Sequence, residues 1–288
     1  MDEKVRKFLF VVRAGSFTEA ARQLRVSQPA LTMAIRELER ELGAELLVRG
    51  GRSFTLSSAG EILFAYAETQ ADDWSDVRAQ INDMTDDGAP LSLGMIDSLA
   101  ETAFADKQLR EYVLRSEKNT MVVDNSRRLL AMVADGSVDA AFVVDQESYP
   151  VQLEINQLGH ELMAVVVSPK LVKGNKPKQP LPYISYDEAS STAYWVDKAL
   201  RRAAVSSSKV FYSTSPQIML DLCRYGAGFA VLPERMVRGH VERGELIRFP
   251  VSKQIVIHRP VAHVLRQGTY QSRAVEYVAE RVRQLLPA

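Results

Sequence analysis

Two short amphipathic stretches joined by the connection Arg25–Ser27 constrain this chain more than any other feature. A serine that can act as an N-cap precedes each stretch, Ser16 the first and Ser27 the second. Apolar residues recur at helical spacing in both stretches, at Phe17, Ala20, Ala21 and Leu24 and then at Leu31, Ala34, Ile35, Leu38 and Leu42. Two short helices with so short a connection predict a helix-turn-helix.

The sequence around this pair predicts one more helix before it and a wing after it. The earlier helix has its apolar stripe at Val5, Phe8, Leu9 and Val12. Ser16 with Glu19 reads as a capping box, and Gly43 ends the third helix. Residues 46–56 then read as two short strands around a Gly-Gly turn.

The polar side of the third helix has the chemistry for reading DNA. Gln28 can bond adenine, Thr32 can contact a thymine methyl, and Arg36 can bond guanine or phosphate. Ser27 stands at a helix N-terminus, which attracts phosphate. Arg49 and Arg52 flank the tip of the wing, within reach of backbone phosphates.

A plainer interpretation stays open at this point, because any three-helix domain shows such stripes and solvated arginines are common. The caps, the short turn, the polar face and the wing together favour DNA binding. The charge distribution also favours DNA binding, because the N-terminal region carries a net positive charge. Residues 1–60 hold ten Lys and Arg against seven Asp and Glu, although the whole chain has a formal net charge of zero.

A long helix is predicted over residues 58–87. Together with Gln70, its larger apolar side chains are spaced three and four apart, close to the period of a coiled-coil seam. The predicted seam consists of Leu63, Tyr66, Trp74, Val77, Ile81 and Met84. Residues 86–90 end the helix and form a hinge. The residues alone leave open whether this face packs on its own chain or on a second copy.

The remaining chain alternates short apolar strands with helices, which predicts an α/β domain with mainly parallel strands. The predicted strands cover residues 91–96, 121–124, 140–144, 162–167, 183–186, 210–212, 229–232 and 255–265. The predicted helices cover residues 98–116, 126–135, 191–205, 216–224 and 270–286.

The N-terminal sequence resembles the DNA-binding signature of LysR-type transcriptional regulators. The resemblance lies in the runs 17–24 and 26–32, in Ile35, Leu38-Glu39 and Leu42-Gly43, and in residues 49–60. Three departures stand out. Met33 occupies a place where a polar or basic contact residue is usual, Leu47 replaces a usual Phe, and Ser57 replaces a usual Thr. The DNA-contact set this implies is Ser27, Gln28, Pro29, Thr32, Met33, Arg36, Arg49 and Arg52.

The same resemblance implies the arrangement of the whole chain. It implies a winged helix-turn-helix over 1–60, a dimerising linker helix and hinge over 61–89, and an effector-binding domain over 90–288. That last domain would resemble a periplasmic binding protein, with lobe I at about 91–166 and 267–288 and lobe II at about 168–262. It would be crossed by strands near 162–168 and 262–266. The linker helices would pair antiparallel in a homodimer, with a homotetramer as the other assembly.

In such a domain, ligands bind where strand ends and helix N-termini converge. The candidate positions are Ser98, Asn125, Ser126, Ser185, Thr214 and Ser215. Each could also serve only as a helix cap, but as a set they indicate a small polar or anionic metabolite.

Composition excludes several other classes. The single cysteine, Cys223, cannot form an intramolecular disulfide, and its apolar context predicts an inert core thiol. The four histidines lack metal spacing and are expected on the surface or in strands. No nucleotide-binding or hydrolase motif occurs, so neither an enzyme nor a cofactor is expected. The N-terminus lacks a signal-peptide pattern and no apolar run is long enough for a membrane span, which predicts a cytoplasmic protein without a membrane partner.

The function this predicts is a regulator that binds double-stranded DNA, contacts RNA polymerase, and responds to a small molecule. Two alternatives remain. One is a solute-binding receptor or enzyme whose N-terminal helices only oligomerise. The other is a regulator of the same type that works without an effector.

Overall fold

The computed structural model describes residues 2–50, 53–84, 90–173, 176–177, 181–188, 190–203, 205, 208–249 and 257–287. The chain forms two compact units, Met1–Ile81 and Asn82–Ala288. The finer division at residues 60 and 89 stays a prediction.

The first unit is a winged helix-turn-helix followed by a long helix, as predicted. Its elements are α1 (Glu3–Ala14), α2 (Phe17–Leu24), α3 (Gln28–Leu42), β1 (Leu47–Gly50), β2 (Ser53–Leu56) and α4 (Ser58–Asp83). Phe8, Leu31 and Ile35 are fully buried where α1 and α3 contact each other. The apolar stripes read from the sequence therefore form one core.

Local caps set the ends of these helices. The Ser27 hydroxyl accepts a hydrogen bond from the Ala30 N–H at 3.3 Å, and Ser16 accepts one from the Glu19 N–H at 3.4 Å. The predicted capping box is incomplete, because the Glu19 carboxylate accepts from the side chains of Arg22 and Gln23 instead. A complete capping box would have the Glu19 carboxylate accept from the Ser16 N–H, and these exposed side-chain contacts take the place of that bond.

The turn and the wing depend on particular backbone positions. Arg25 ends α2 with φ of +55°, a left-handed conformation that is unusual for a residue with a side chain. β1 and β2 pair antiparallel, with Leu47 opposite Leu56. Gly60, in the first turn of α4, lies so close to this hairpin that a Cβ would stand 2.1 Å from the Leu46 carbonyl oxygen. No larger residue fits there without moving the backbone.

The second unit alternates strands and helices. Its first half contains β3 (Ser92–Met95), α5 (Asp97–Ala105), α6 (Lys107–Leu114), β4 (Thr120–Val123), α7 (Ser126–Ala134), β5 (Ala140–Val144) and β6 (Leu153–Val167). A 3₁₀ turn at Pro169–Leu171 and the short pair β7 (Val172–Lys173) and β8 (Lys176–Pro177) follow. The rest contains β9 (Tyr183–Tyr186), α8 (Ser191–Arg202), β10 (Lys209–Ser213), α9 (Pro216–Tyr225), β11 (Phe229–Pro233), α10 (Glu234–Glu242), β12 (Ile247–Arg248), β13 (Ile257–Arg266) and α11 (Arg273–Leu285).

One mixed sheet runs through this unit in the order β10-β9-β11-β6-β13-β5-β3-β4, with β12 on β6. β4, β3 and β5 are parallel in lobe I, and β10, β9 and β11 are parallel in lobe II. β6 and β13 pair antiparallel between them and contribute to the apolar cores of both lobes. The two-lobed α/β architecture is thus confirmed.

Several elements differ from prediction, and the short strands β7, β8 and β12 were not predicted. β6 begins at Leu153 rather than 162, because pairing with β13 carries it through a polar stretch. The predicted helix 98–116 is two helices, since Asp106 ends α5 and caps α6 by accepting from the Leu109 N–H at 2.8 Å. α10 was not predicted, and Val237 is its fully buried apolar residue.

Within the described residues, no helix is both long enough and apolar enough to cross a membrane.

Candidate DNA-binding surface and ligand cleft

The outer side of α3 carries the predicted DNA contacts. Leu31, Ile35 and Leu38 are buried on the inner side, so the residues between them point away from the core. Ser27, Gln28, Pro29, Met33 and Arg36 are exposed, and Thr32 is half-buried beside them. The structure thus brings six of the eight predicted residues onto one surface.

Two features of this surface affect how it can contact DNA. Met33 lies at the centre of this surface and is 60% exposed. An apolar side chain therefore stands where the resemblance leads us to expect a polar contact. The Arg36 guanidinium has no hydrogen bond or ion pair with any described residue, which leaves it available to contact DNA. Arg49 lies opposite Phe54 in the wing, but its side chain and the whole of Arg52 lie outside the described residues.

The predicted seam on α4 is largely exposed. Tyr66, Trp74, Val77 and Ile81 are between 44% and 63% exposed, and Met84 just beyond the helix is 86% exposed. Leu63 differs, because it is half-buried against the core of the first unit. Five of the six predicted seam residues are therefore exposed apolar side chains.

A cleft of about 330 Å³ lies within the second unit, where four helices begin. The parallel strands β3, β4, β9 and β10 each lead directly into a helix, respectively α5, α7, α8 and α9. The first residues of these helices line the cleft together with Val144 and Arg259. Each helix N-terminus presents backbone N–H groups and a partial positive charge.

Five of the six predicted effector residues line this cleft, namely Ser98, Asn125, Ser126, Thr214 and Ser215. Asn125 caps α7 by accepting from the Arg128 N–H at 3.0 Å, and Ser215 caps α9 by accepting from the Ile218 N–H at 3.4 Å. Ser185 does not line it. That residue is fully buried within β9, and its hydroxyl donates to the Tyr186 carbonyl at 2.9 Å.

A buried polar network stands at the floor of the cleft. Arg259 lies directly opposite Glu161 in the β13–β6 pairing, and their side chains form an ion pair at 3% and 7% residue exposure. Ser98 accepts from Arg259 Nη2 at 2.6 Å and donates to Glu161 at 3.0 Å. Arg259 Nη1 donates to Thr192 Oγ1 at 2.9 Å. The network joins both lobes to the crossing strands.

Two donors at this floor have no hydrogen-bond acceptor among the described residues: Arg259 Nε and the Tyr186 hydroxyl. Burial raises the pKa of the Tyr186 phenol above its usual value, so it remains protonated. An unsatisfied buried polar group costs about 1–3 kcal/mol. Both residues line the cleft, which is where a bound molecule could satisfy them.

Sequence reasoning missed Arg259, Glu161, Tyr186 and Thr192. One signal was available, since Arg259 is the fully charged residue in a predominantly apolar predicted strand, and such a residue needs a partner when it is buried.

Comparison with known families identifies the chain. Residues 3–61 match the family described as bacterial regulatory helix-turn-helix protein, lysR family, and residues 89–287 match the LysR substrate binding domain. The chain belongs to the LysR family.

Known members are similar over nearly the whole chain. This LysR protein is 26% identical over 259 residues to the uncharacterized HTH-type transcriptional regulator YusT of Bacillus subtilis, covering 87% of this chain and 85% of YusT. It superposes on ArgP from Mycobacterium tuberculosis with a TM-score of 0.67 at 18% identity, covering 99% and 96% of the two chains. It superposes on DarR of Vibrio fischeri, solved in complex with DNA, with a TM-score of 0.54 at 19% identity, covering 99% and 100%.

The family assignment gives the function at its general level. This LysR protein is a DNA-binding transcriptional regulator whose C-terminal domain is of the effector-binding LysR type. The alternative in which the N-terminal helices only oligomerise is thereby excluded.

Other reactive side chains of this LysR protein lie away from the cleft floor. Cys223 is fully buried, its thiol donates to the Val166 carbonyl at 3.3 Å, and burial raises its pKa to about 12. His160, His258 and His263 lie in strands, whereas His240 lies in α10. The described residues contain no group of side chains able to hold a metal ion.

Proposed function

We propose that α3 reads DNA with the exposed side that faces away from its buried stripe. Gln28, Thr32 and Arg36 would contact base edges, and Ser27 with the helix N-terminus would hold a phosphate. Pro29 and Met33 would lie against the DNA without hydrogen bonds to it. Arg49 and Arg52 of the wing would add phosphate contacts. The observation that carries this proposal is the exposed Arg36 guanidinium on that surface, which pairs with no described residue.

The test is to select DNA fragments with the purified full-length protein and sequence them. We expect a motif with two half-sites whose centres are separated by about one helical turn, 10–10.5 bp, or a multiple of it. Affinity for the selected site should fall linearly with log salt concentration, as phosphate contacts require. Selected fragments that share no motif would refute the assignment of α3 as a reading helix.

We propose that the protein acts as a homodimer, or as a homotetramer of two such dimers, through the α4 seam. The exposed apolar side chains from Tyr66 to Ile81 support this, because exposing them to water in a monomer is unfavourable. Pairing also doubles the phosphate and base contacts of a single winged helix.

We propose that the effector binds in the cleft at the starts of α5, α7, α8 and α9. Ser98, Asn125, Ser126, Thr214 and Ser215 would surround it, and a small polar or anionic metabolite fits four converging helix N-termini. Arg259 Nε and the Tyr186 hydroxyl, which have no acceptor among the described residues, support ligand binding here because a bound molecule could accept from them. Regulation would be a population shift, in which the ligand prefers one arrangement of the lobes.

An effector-independent regulator is the competing proposal for the same fold. A thermal-shift screen distinguishes the two, because any ligand that binds only the folded state raises the melting temperature. The decisive result is a compound that both raises the melting temperature and changes affinity for the selected DNA.

We further propose that the protein acts in the cytoplasm by binding alone, without catalysis, and that it contacts RNA polymerase there.

A further inference from the structure

The charges that line the cleft are not evenly balanced. Arg259 is neutralised by Glu161, and Asp124 is neutralised by Arg128 at 2.8 Å. Asp97, at the first position of α5, lines the same cleft and is exposed. No hydrogen bond or ion pair joins its carboxylate to any described residue. Among the described charged residues that line this cleft, Asp97 is therefore the one without a counter-charge, and its charge is negative.

The rest of the cleft favours the opposite sign. The N-termini of α7, α8 and α9 present N–H groups and partial positive charge, and each helix is at least nine residues long. Arg259 Nε and the Tyr186 hydroxyl add two buried donors without acceptors among the described residues. These groups favour a molecule with an anionic or strongly accepting end.

Both kinds of group line the same cleft. Asp97, Tyr186 and Arg259 all lie on the wall of this single cavity of about 330 Å³. One small molecule bound there can therefore contact the carboxylate and the donors together.

We propose that the effector is a zwitterion of the amino-acid class, with its ammonium group held by Asp97 and its carboxylate held by the helix N-termini and the unsatisfied donors of Arg259 and Tyr186. This rests on the proposed function, in which this cleft is the effector site, and it narrows the ligand class.

Singly charged ligands satisfy only half of the site. A plain carboxylate would meet the donors but would lie beside the unpaired Asp97, where like charges repel. A plain amine would pair with Asp97 but would leave the buried donors unsatisfied. A zwitterion satisfies both, and this difference is the basis of the expected selectivity.

The experiment compares matched compounds with the full-length protein. Each standard L-amino acid is tested in a thermal-shift assay beside its 2-hydroxy acid, which lacks the ammonium, and its decarboxylated amine, which lacks the carboxylate. We expect at least one amino acid to raise the melting temperature while its two analogues do not. If the hydroxy acid or the amine stabilises the protein as well as the amino acid does, or if no amino acid stabilises it, the inference is wrong.

The Asp97→Asn variant tests the ammonium contact directly. We expect its affinity for the amino acid, measured by calorimetry, to fall about tenfold or more, because a hydrogen bond to a charged group is lost. Affinity for the matching hydroxy acid should stay the same or rise. Glu117→Gln removes an exposed negative charge outside the cleft lining and should change neither value. Equal losses in Asp97→Asn for both ligands would overturn the inference.

The same compounds separate this inference from the proposed function. An amino acid that binds but leaves DNA affinity unchanged would support the ligand class and contradict the effector role. A carboxylic acid without an amine that binds and changes DNA affinity would support the effector role of the cleft and contradict the ligand class.

Discussion

Arg259 and Glu161 face each other directly across the two strands that connect the lobes, and their side chains form a buried ion pair. Ser98 and Thr192 bond to the same guanidinium from α5 and α8. A single charged residue thus contacts elements of both lobes and the ligand cleft.

Removing one member of this pair should destabilise the protein strongly. Glu161→Leu leaves the Arg259 charge buried without its counter-ion, which is expected to lower the free energy of unfolding by about 3–5 kcal/mol. The double variant Glu161→Leu/Arg259→Met should recover most of that loss. Urea unfolding followed by circular dichroism measures both. A double variant as unstable as the single one would show that the ion pair is not the cause.

Arg36→Ala should weaken binding to the selected DNA site by about 1–3 kcal/mol, or roughly 5- to 150-fold, because a base or phosphate contact is lost. Arg40→Ala is the matched control, since Arg40 is exposed one turn further along the same helix. Fluorescence anisotropy at fixed salt measures both. Equal effects of the two variants would contradict a specific role for Arg36.

Trp74→Ala should weaken self-association. Trp74 is 63% exposed in the described unit, and truncating a buried interface tryptophan usually costs about 2 kcal/mol or more. Sedimentation analysis should show a dimer dissociation constant at least about thirtyfold higher. Val151→Ala is the control, because Val151 is an 89% exposed apolar residue away from α4. An unchanged dimer dissociation constant in Trp74→Ala would contradict α4 as the interface.

Stability should fall in mild acid because of His263. Burial lowers the pKa of this histidine to about 4, and it stacks on Phe142. As pH falls below about 6.5, the unfolded chain takes up a proton that the folded protein refuses, so folding stability decreases. The loss from this residue between about pH 7 and about pH 5 is about 2 kcal/mol.

Unfolding by urea across this pH range tests the prediction. In His263→Leu the pH dependence should shrink by that amount. In His258→Gln, which removes an exposed histidine from the same strand, it should not change. An unaltered pH profile in His263→Leu would contradict the prediction.

The first unit was predictable because its rules are local. The caps at Ser16 and Ser27 and the stripe from Leu31 to Leu42 depend on neighbours within four residues. Arg25 is the exception, since its left-handed backbone is not signalled by its residue type.

The cleft was predictable only where it follows local rules. Ser98, Asn125 and Ser215 stand at helix starts, which sequence can locate. The pairing of Arg259 with Glu161 joins strands almost a hundred residues apart, and their register follows from the assembled sheet. Ser185 could not be separated from the residues that line the cleft. Whether its side chain faces the cleft or the protein interior depends on how the assembled strand is placed, which the sequence does not indicate.

The strand pair β6–β13 has an irregularity between Val261 and Ala262, where Leu158 is left without an opposite residue and Gly159 adopts φ of +150°. Bulges bend and twist strands locally, and this one lies where the strand pair enters the core of lobe I. The helix starts that would recognise a ligand lie elsewhere in both lobes. Substitutions at those starts could therefore exchange one signal molecule for another without altering the strand pair that joins the lobes.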